Sequence, residues 1–454
     1  MEPRRRLRHA RGVGAAGGRT EAGIRGASMT VQHTRRLLTL SLLAMPLWAT
    51  CARAAERVSI RRFGAKGDGV TIDTRAIQDA IDHLAARGGG TVIVPRGIFL
   101  SGALFLKPRV NLHLDAGAVI RCTTDMAHFP PQRTRIEGHF EERFTPALIN
   151  AKGCDGLRIS GEGTLDGAGR PIWDLFWKLR NAAPNPHEFP NLGVPRARLA
   201  LIEQSKGVVI EGVTFRDSQF WNLHLYKCED VLVRGARFEV PDDYKQAPSS
   251  DGIDLDSCRK VVIDGCTFSV TDDCIAAKGT KGPGALDDRD SPPVENIRVR
   301  NCHFRRGHHA FACGSEATIV RDVLMENCRV TGDMILARLK LRPDTPQRYE
   351  DITFRNITLD SDGGSIVAVQ PWSQYTNLGG AAPPQSTVAG LRFIGIKGCF
   401  GAFGTIQPNP GQTRISDVLF RDVDVRLGKD RLVAAEVRGL RFENVVVNGE
   451  AVSA

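Results

Sequence analysis

One pattern of apolar and polar positions recurs between residues 206 and 447 of the chain. Each copy has two variable residues, an apolar–any–apolar triplet and a polar residue, then a glycine, asparagine or aspartate and a second such triplet. The complete copies are KGVVIEGVTF (206–215), EDVLVRGARF (229–238), RKVVIDGCTF (259–268), ENIRVRNCHF (295–304), RDVLMENCRV (321–330), EDITFRNITL (350–359), SDVLFRDVDV (416–425) and RGLRFENVVV (438–447). AGLRFIGIKG (389–398) fits apart from its ends. Alternation with a period of two predicts strand, corner and strand in every copy.

These strands must stack on one another, because no single copy can bury its apolar side alone. The first apolar position recurs at intervals of 22 to 39 residues, which suits one turn of a solenoid. A β-sandwich also has many short strands, but it gives no reason to repeat one corner residue at one register nine times. The pattern therefore predicts an all-β fold, a right-handed parallel β-helix with coils about 4.8 Å apart.

One short helix is predicted ahead of the repeats. TRAIQDAIDHLAARGGG places Ile77, Ile81 and Leu84 on one face and ends in glycines, as helix C-termini often do. Such a helix would cap the first coil, whose core is otherwise exposed to water. No second folded domain is indicated, so residues 55–454 are predicted to form a single β-helix domain.

The net charge of +10 is concentrated at the amino terminus. Ten arginines and two glutamates give residues 1–54 a charge of +8, which leaves +2 on the remaining chain. That near-neutral remainder gives no electrostatic reason to expect a nucleic-acid partner.

The amino-terminal residues resemble a targeting sequence. Residues 29–54 have a basic start, an apolar run from Leu37 to Trp48 and a small-residue exit, which predicts a signal peptide too short to be a transmembrane span. With Arg35 and Arg36 present, export by the general secretory route and export by the twin-arginine route both remain open. Residues 1–28 are interpreted as a disordered leader or an over-extended start. We therefore expect an exported protein, periplasmic or extracellular, with no transmembrane segment after processing.

Ten cysteines remain after residue 54, and an even number in an exported protein permits disulfides. No CxxC pair occurs, which argues against zinc. Cys266, Cys302 and Cys328 share one position of the repeat, which favours buried, unpaired packing.

Acidic residues occur one coil apart at one place in this pattern. Asp272 and Asp273 lie side by side in TDDCIAAKGT (271–280), a run that otherwise predicts a buried strand. Asp251 precedes Asp272 by 21 residues and His308 follows it by 36. Since intervals near one coil place side chains in one column of a solenoid, these four residues are predicted to converge on one face.

Two cations follow about one coil later. Arg338 and Lys340 alternate across Leu339, so both should point to the same side of a strand. Crowded carboxylates can provide the acid and the base of glycosidic hydrolysis, because like charges raise a neighbour's pKa. Arginine and lysine bind carboxylates, so the set predicts hydrolysis of an acidic polysaccharide.

Each feature also has a simpler interpretation. Asp254 and Asp256 are expected in a turn ladder, and His308 alone would be an exposed loop histidine. Arg338 and Lys340 alone would be a solvated strand face. Their joint occurrence at successive coil intervals favours a functional site.

The chain resembles a known protein family. FGAKGDGVTIDTRAIQDAI, GGGTVIVPRGIFLSG and ISGEGTLDGAG are similar to the first coils of glycoside hydrolase family 28, the polygalacturonases and their relatives. The family's motifs Asn-Thr-Asp, Asp-Asp, Gly-His-Gly and Arg-Ile-Lys correspond to four segments of this chain in the same order. These are Ser249-Ser250-Asp251, Asp272-Asp273, Gly307-His308-His309 and Arg338-Leu339-Lys340. The resemblance covers nearly all of residues 57–450 and is strongest to a bacterial subgroup.

The resemblance implies a role for each acid. Asp272 would be the general acid, and Asp251 with Asp273 would position and deprotonate the water. His308 would tune the acid or hydrogen-bond the sugar. The implied reaction is inverting, without a metal or cofactor, and its carboxyl oxygens would lie about 6.5–9.5 Å apart.

The resemblance also implies a pectic, galacturonate-containing substrate. Arg338 and Lys340 would bind the uronate beyond the scissile bond of an α-galacturonosyl linkage. Polygalacturonan is the expected polymer, with rhamnogalacturonan and xylogalacturonan as alternatives, and endo and exo attack both remain open. Ser249-Ser250 and His309 depart from the family motifs. We expect a monomer.

Two other functions remain open. A pectate lyase would use calcium and an arginine base, and the acids with Arg338 offer such groups. A non-catalytic β-helix, either an adhesin or a carbohydrate-binding protein, would need no acid at all. The order of Asp-Asp, His and Arg-x-Lys favours the hydrolase.

Overall fold

The computed structural model describes residues 56–374 and 376–453. The predicted leader (residues 1–28) and signal peptide (residues 29–54) therefore lie entirely outside the described residues. In chain order the strands β1 to β34 are Arg57–Ser59, Asp68–Ile72, Gly90–Val94, Gly97–Ser101, Leu104–Leu106, Val110–Leu114, Ala118–Cys122, Gln132–Ile136, His139–Phe144, Ile149–Lys152, Arg158–Gly161, Thr164–Asp166, Ala200–Glu203, Val209–Glu211, Thr214–Arg216, Leu223–Tyr226, Glu229–Arg234, Arg237–Glu239, Ile253–Asp256, Arg259–Asp264, Thr267–Ser269, Ile275–Lys278, Val294–Arg300, His303–Arg306, His309–Cys313, Ile319–Glu326, Arg329–Val330, Ile335–Leu341, Arg348–Asp360, Ser365–Pro371, Ser386–Ile406, Thr413–Ala434, Val437–Val447 and Glu450–Ala451. The α-helices are α1 (Thr74–Ala86) and α2 (Arg170–Asn181), and short 3-10 helices span Ile60–Phe63, Met126–His128, Asn191–Gly193 and Ala285–Asp287.

Nearly all described strands belong to one parallel sheet that winds into a coil. The sheet has 32 strands, and each pairs with the equivalent strand of the next coil, as β19 does with β22 and β22 with β25. Only β33 and β34 at its end, and the separate hairpin of β8 and β9, pair antiparallel among the described strands. The predicted right-handed parallel β-helix is therefore confirmed.

The corner residues of the repeat adopt the left-handed conformation that their identities permit. Gly212, Gly265, Asn301, Asn356 and Asn444 have φ of 77°, 64°, 56°, 53° and 55°. Glycine avoids the steric cost of this conformation and asparagine tolerates it better than most residues do. One corner residue recurs in the sequence because each coil must turn at the same place.

The inside of the coil is a continuous apolar core with aromatic columns. Phe215, Phe238, Phe268 and Phe304 stack on successive coils with ring centroids 4.9 to 5.1 Å apart. The ten described cysteines are free, and nine of them are buried. The prediction of buried, unpaired packing for the cysteines of the repeat is confirmed.

Helix α1 (Thr74–Ala86) caps the first coil as predicted. Ile77, Ile81 and Leu84 are fully buried, and the helix packs against β1, β3, β5 and β6. No helix among the described residues is both long enough and apolar enough to cross a bilayer.

Two insertions depart from the predicted coil. Helix α2 (Arg170–Asn181) follows β12, at a place where the sequence pattern predicts no helix. Its Ile172, Trp173 and Phe176 are buried, and Pro171 occupies its first turn, where proline is tolerated. The hairpin of β8 and β9 projects from an earlier coil, and Arg135 in β8 donates to the carbonyl oxygen of Gly279 at 2.8 Å. Both insertions reach the region where the predicted acids lie.

Candidate active site

Five of the six predicted site residues line one cavity of about 260 Å³. They are Asp251, Asp272, Asp273, His308 and Lys340. The sixth residue, Arg338, is buried next to it and lies on the same strand as Lys340. The further lining residues are Glu137, Phe176, Trp177, Arg180, Asn191, Trp221, Gln246, Ala247, Pro248, Ser249, Thr271, Lys278, His309, Ser315, Glu316, Trp372 and Gln374.

Consecutive coils bring these residues together. The backbone N–H of Gly252, next to Asp251, donates to the carbonyl oxygen of Asp273 at 2.9 Å. The N–H of His308 donates to the carbonyl oxygen of Asp272 at 2.8 Å, and the N–H of Ile335 donates to that of His308 at 3.0 Å. The ladder of the β-helix therefore places the acids, the histidine and β28 on neighbouring levels, as their spacing predicted.

Asp272 is paired with His308. The His308 Nδ1 atom lies 3.3 Å from an Asp272 carboxylate oxygen, and the two side chains are 53% and 29% exposed. Burial raises the pKa of Asp272, but the charge and hydrogen bond of His308 outweigh it and lower that pKa. In return, the charge of Asp272 raises the pKa of His308 to about 9. The pair therefore holds one proton at neutral pH, and the proton resides on His308.

Asp273 has two basic partners. Its carboxylate accepts a short hydrogen bond from His309 Nδ1 on one oxygen, and Lys340 Nζ donates to the other at 3.0 Å. Burial opposes the charged form of Asp273, but Lys340 and then His309 hold its pKa well below the usual range. Burial also lowers the pKa of His309. Asp273 is thus a firmly ionised carboxylate.

Asp251 has a different environment, because it shares a single cation with two other acids. Lys278 Nζ lies 3.5 Å from Asp251, 3.6 Å from Asp254 and 3.4 Å from Glu316. Burial and the neighbouring charges of Asp272 and Asp254 raise the pKa of Asp251 well above its ordinary value. Burial also raises the pKa of Asp254, to about 8. The raised carboxyl pKa values of the site thus belong to Asp251 and Asp254.

Asp254 does not lie in the exposed turn ladder that was its simplest interpretation. It is fully buried, and neither of its carboxylate oxygens has a hydrogen-bond partner among the described residues. Asp256 is also buried and accepts from Arg135 Nε at 3.0 Å. The turn-ladder interpretation is wrong for both residues, because the hairpin of β8 and β9 and the site itself cover this face.

The side chains of Arg338 and Lys340 lie on the same side of β28, as the alternation predicted. The Arg338 guanidinium carbon is 5.7 Å, and Lys340 Nζ is 4.9 Å, from the centroid of the Trp372 ring. Arg338 donates to Gln370 Oε1 at 2.9 Å and has no carboxylate partner among the described residues. Of the two predicted uronate ligands, Arg338 is thus free of an ion pair, whereas Lys340 is bound to Asp273.

The departures from the family motifs have structural explanations. Ser250 is fully buried, and its hydroxyl accepts from the Thr271 N–H at 3.0 Å, so it ties two coils together. Ser249 lines the cavity beside Asn191, which comes from a different part of the chain. Gly307, in contrast, keeps the first glycine of its motif. It is required by close packing, because a Cβ there would lie 2.5 Å from the Cys274 sulfur.

Several lining residues were missed by the sequence analysis. Lys278 lies in the same TDDCIAAKGT stretch as the acids, so its proximity in the sequence was a usable signal. Its ammonium also lies 4.5 Å from the Trp221 ring centroid. Trp177 and Arg180 come from helix α2 and have no periodic relation to the repeat, so the pattern gave no signal for them.

The site also offers a small donor set for a cation. One ligand atom from each of Asp272, Asp273 and His308 lies within 4.8 Å of the others, so the nearest carboxylate oxygens of the two aspartates are closer than the roughly 6.5–9.5 Å expected for an inverting acid and base, and that expectation is wrong for this pair. Calcium prefers six to eight oxygen ligands, and this set includes a nitrogen donor. The two acids already contact His308, His309 and Lys340, so a divalent ion would lie against cations. The geometry fits salt-bridged carboxylates better than a calcium site.

The fold and the site together define a class of protein. A β-helix that presents three aspartates with histidine and lysine partners in one cavity has the groups of a glycoside hydrolase. Across residues 91–445 the chain matches the model of glycosyl hydrolases family 28, and it belongs to that family. The resemblance found in the motifs is confirmed by this match.

Individual relatives of this chain are named as polygalacturonases or as exo-acting galacturonosidases. The chain is 29% identical over 315 residues to a probable polygalacturonase of Vitis vinifera, covering 67% of this chain and 61% of that one. It is 27% identical over 350 residues to the exo-poly-alpha-D-galacturonosidase of Dickeya chrysanthemi, covering 69% and 56% respectively. The match thus spans less than two thirds of both relatives. The exopolygalacturonase of Thermotoga maritima superposes with a TM-score of 0.73 at 25% identity, covering 88% of this chain and 94% of that one.

Proposed function

We propose that this protein hydrolyses α-galacturonosyl linkages of pectic polysaccharides or oligosaccharides with inversion at the anomeric carbon. The observation that carries the proposal is the convergence of Asp251, Asp272, Asp273 and His308 on one cavity, with ionised and protonated groups side by side. Family membership and the names of the relatives support it.

The pairings support a division of labour among the acids. The Asp272–His308 pair holds one proton, and Asp272 passes it to the leaving glycosidic oxygen while His308 supplies it. Asp273 is ionised and takes a proton from the attacking water. Asp251 helps to hold that water. The water oxygen bonds to the anomeric carbon as the glycosidic bond breaks, so two saturated products with a new reducing end result.

We further propose that attack occurs at chain ends. The cavity of about 260 Å³ is small beside common ligand pockets of about 300–1,000 Å³. Helix α2 contributes Trp177 to one wall, and the hairpin of β8 and β9 lies next to the site. Insertions of this kind shorten a groove that would otherwise run along the coils. We also infer an exported protein whose residues 55–454 form one catalytic β-helix domain.

The decisive experiment incubates the protein with polygalacturonan, rhamnogalacturonan, xylogalacturonan and short oligogalacturonides. We expect new reducing ends without near-ultraviolet absorbance, and monogalacturonate or short units from the first time points. An unsaturated, absorbing product that requires calcium would instead identify a lyase. Binding without turnover of any substrate would identify a carbohydrate-binding β-helix. Proton NMR of the first products would show the inverted anomer if the mechanism is as proposed.

A further inference from the structure

The cations that line the cavity differ in whether an acid neutralises them. Lys278 contacts three carboxylates, and Lys340 contacts Asp273. Arg180 also lines the cavity, but the only polar contact of its side chain with the described residues is the donation of Nε to the carbonyl oxygen of Pro186 at 3.0 Å. No carboxylate lies within ion-pair distance of Arg180 among the described residues. Its charge is therefore available to an anion that enters the cavity.

Arg180 lies next to an aromatic ring that is held in place. Trp177 precedes it by three residues on the same helix, so the two side chains project from one face of α2. The Trp177 indole N–H donates to the carbonyl oxygen of Gln246 at 2.7 Å, and the Arg180 guanidinium carbon lies 5.4 Å from the ring centroid. Both residues line the cavity. An aromatic ring can pack against the face of a sugar, and a guanidinium beside it can donate to a carboxylate of that sugar.

Helix α2 is well anchored, which makes this pair a rigid element of the cavity. The Trp173 indole N–H donates to the carbonyl oxygen of Ser218 at 2.9 Å, and its ring lies 4.7 Å from that of Tyr244. Tyr244 in turn donates to Asp174 at 2.8 Å. A binding group on a fixed helix loses little freedom when a ligand arrives.

The Trp177–Arg180 pair and Arg338 come from different levels of the β-helix. Helix α2 lies between β12 and β13, ahead of the strands β19 and β22 next to the acids, whereas Arg338 lies on β28, after them. Arg338 also has no acid partner among the described residues. In the order of the coils, one unneutralised guanidinium group thus comes before the acids and one after them, which suits the carboxylates of two neighbouring uronate units.

We propose that Trp177 and Arg180 form a second uronate-binding site, which holds the sugar on the other side of the scissile bond from Arg338. The inference rests on the proposed function, and it adds a specificity that the family motifs do not contain. Arg180 would donate to the carboxylate, and the Trp177 ring would support the sugar. The enzyme would then require an acidic sugar on both sides of the bond that it cleaves.

The test compares Arg180→Gln with Lys178→Gln, a control on the same helix whose side chain is exposed and lies outside the cavity lining. With trigalacturonate as substrate, Arg180→Gln should raise KM about ten-fold with little change in kcat, since a contact made equally in ground and transition states affects KM. Arg180→Lys should keep part of the affinity. Lys178→Gln should match the wild type.

A substrate modification separates carboxylate recognition from a general defect. Fully methyl-esterified trigalacturonate lacks the charges that Arg180 would bind, so wild type and Arg180→Gln should handle it equally. An unchanged KM in Arg180→Gln, or an equal ten-fold loss on both substrates, would overturn the second uronate site.

A binding measurement keeps this test independent of turnover. Calorimetric Kd values for trigalacturonate are compared between Asp272→Asn and the double variant Asp272→Asn/Arg180→Gln. We expect about ten-fold weaker binding in the double variant. Equal Kd values would reject the second site even if hydrolysis is confirmed. Absence of hydrolysis in the wild type would reject the proposed function, whereas a ten-fold binding difference would still support the site.

Discussion

Two pairs of aspartates in the cavity region differ in how many basic side chains they contact. Asp272 and Asp273 together contact His308, His309 and Lys340. Asp251 and Asp254 share Lys278 with Glu316. The first pair has lowered pKa values and the second pair has raised ones.

This contrast shows that crowding of acids does not by itself decide which one holds a proton. The two acids that are adjacent in sequence are both ionised, because each has its own cation. The proton is retained where burial is combined with too few cations, at Asp251 and Asp254. Four substitutions test this division.

Asp272→Asn should cause the largest loss of activity. An amide cannot pass a proton to the leaving oxygen, so kcat on oligogalacturonides should fall by about 10²–10⁴-fold. Binding should survive, because the side-chain volume is nearly unchanged. Asp242→Asn is the control, since Asp242 is exposed and does not line the cavity. Equal kcat values in the wild type and Asp272→Asn would show that Asp272 is not the acid.

Lys278→Met should cause the largest loss of stability. It would leave three buried acids without their shared cation, and breaking a buried ion pair costs about 3–5 kcal/mol. Lys260→Met is a suitable control, because Lys260 forms a surface pair with Glu229 whose contribution to stability should be small. The stability loss of each variant is measured as the change in its free energy of unfolding in denaturant. Similar losses in the two variants would mean that Lys278 is not a buried electrostatic centre.

His308→Asn should change the pH dependence of activity. The pKa of His308 is raised to about 9 by Asp272, so the pair holds its proton below that pH and loses it above. In the variant Asp272 must hold the proton alone, and the alkaline limb of the kcat profile should move toward acid. The stabilisation from the pair should be fully present below about pH 6.5, the ordinary histidine pKa, and should be lost as pH rises through about 9. An unmoved alkaline limb would contradict the shared-proton account.

Asp254→Asn should have the smallest effect, and a favourable one at high pH. The pKa of Asp254 is raised to about 8, so the folded state binds its proton between about pH 4 and 8 while the unfolded state does not. Wild-type stability from this group therefore falls as pH rises through that range. An asparagine does not titrate, so the stability of the variant relative to the wild type should rise steadily between about pH 5 and pH 8. A difference independent of pH would contradict the raised pKa.

The coil and the main acids could be predicted from the sequence because both are periodic. A corner such as Asn301 and a phenylalanine such as Phe268 recur once per coil, so local pattern and tertiary position coincide. The same spacing placed Asp251, Asp272 and His308 on neighbouring levels.

The remaining features of the site could not be predicted, because they depend on contacts between unrelated segments. Trp177 reaches the cavity because Trp173 of the same helix donates its indole N–H to the carbonyl oxygen of Ser218, a contact that no spacing reveals. Lys278, the pair Asp251 and Asp254, and Glu316 come from three successive coils. The sequence showed which acids converge, but the distribution of cations among them emerged only in the folded structure.

The location of the buried proton is the central claim, and infrared spectroscopy tests it most directly. A carboxylic acid absorbs at a C=O stretch that an ionised carboxylate lacks. At pH 6.5 the wild-type protein and Asp272→Asn should both show this band from buried acids, and Asp251→Asn and Asp254→Asn should each reduce it. A band that disappears in Asp272→Asn and persists in both other variants would contradict the account.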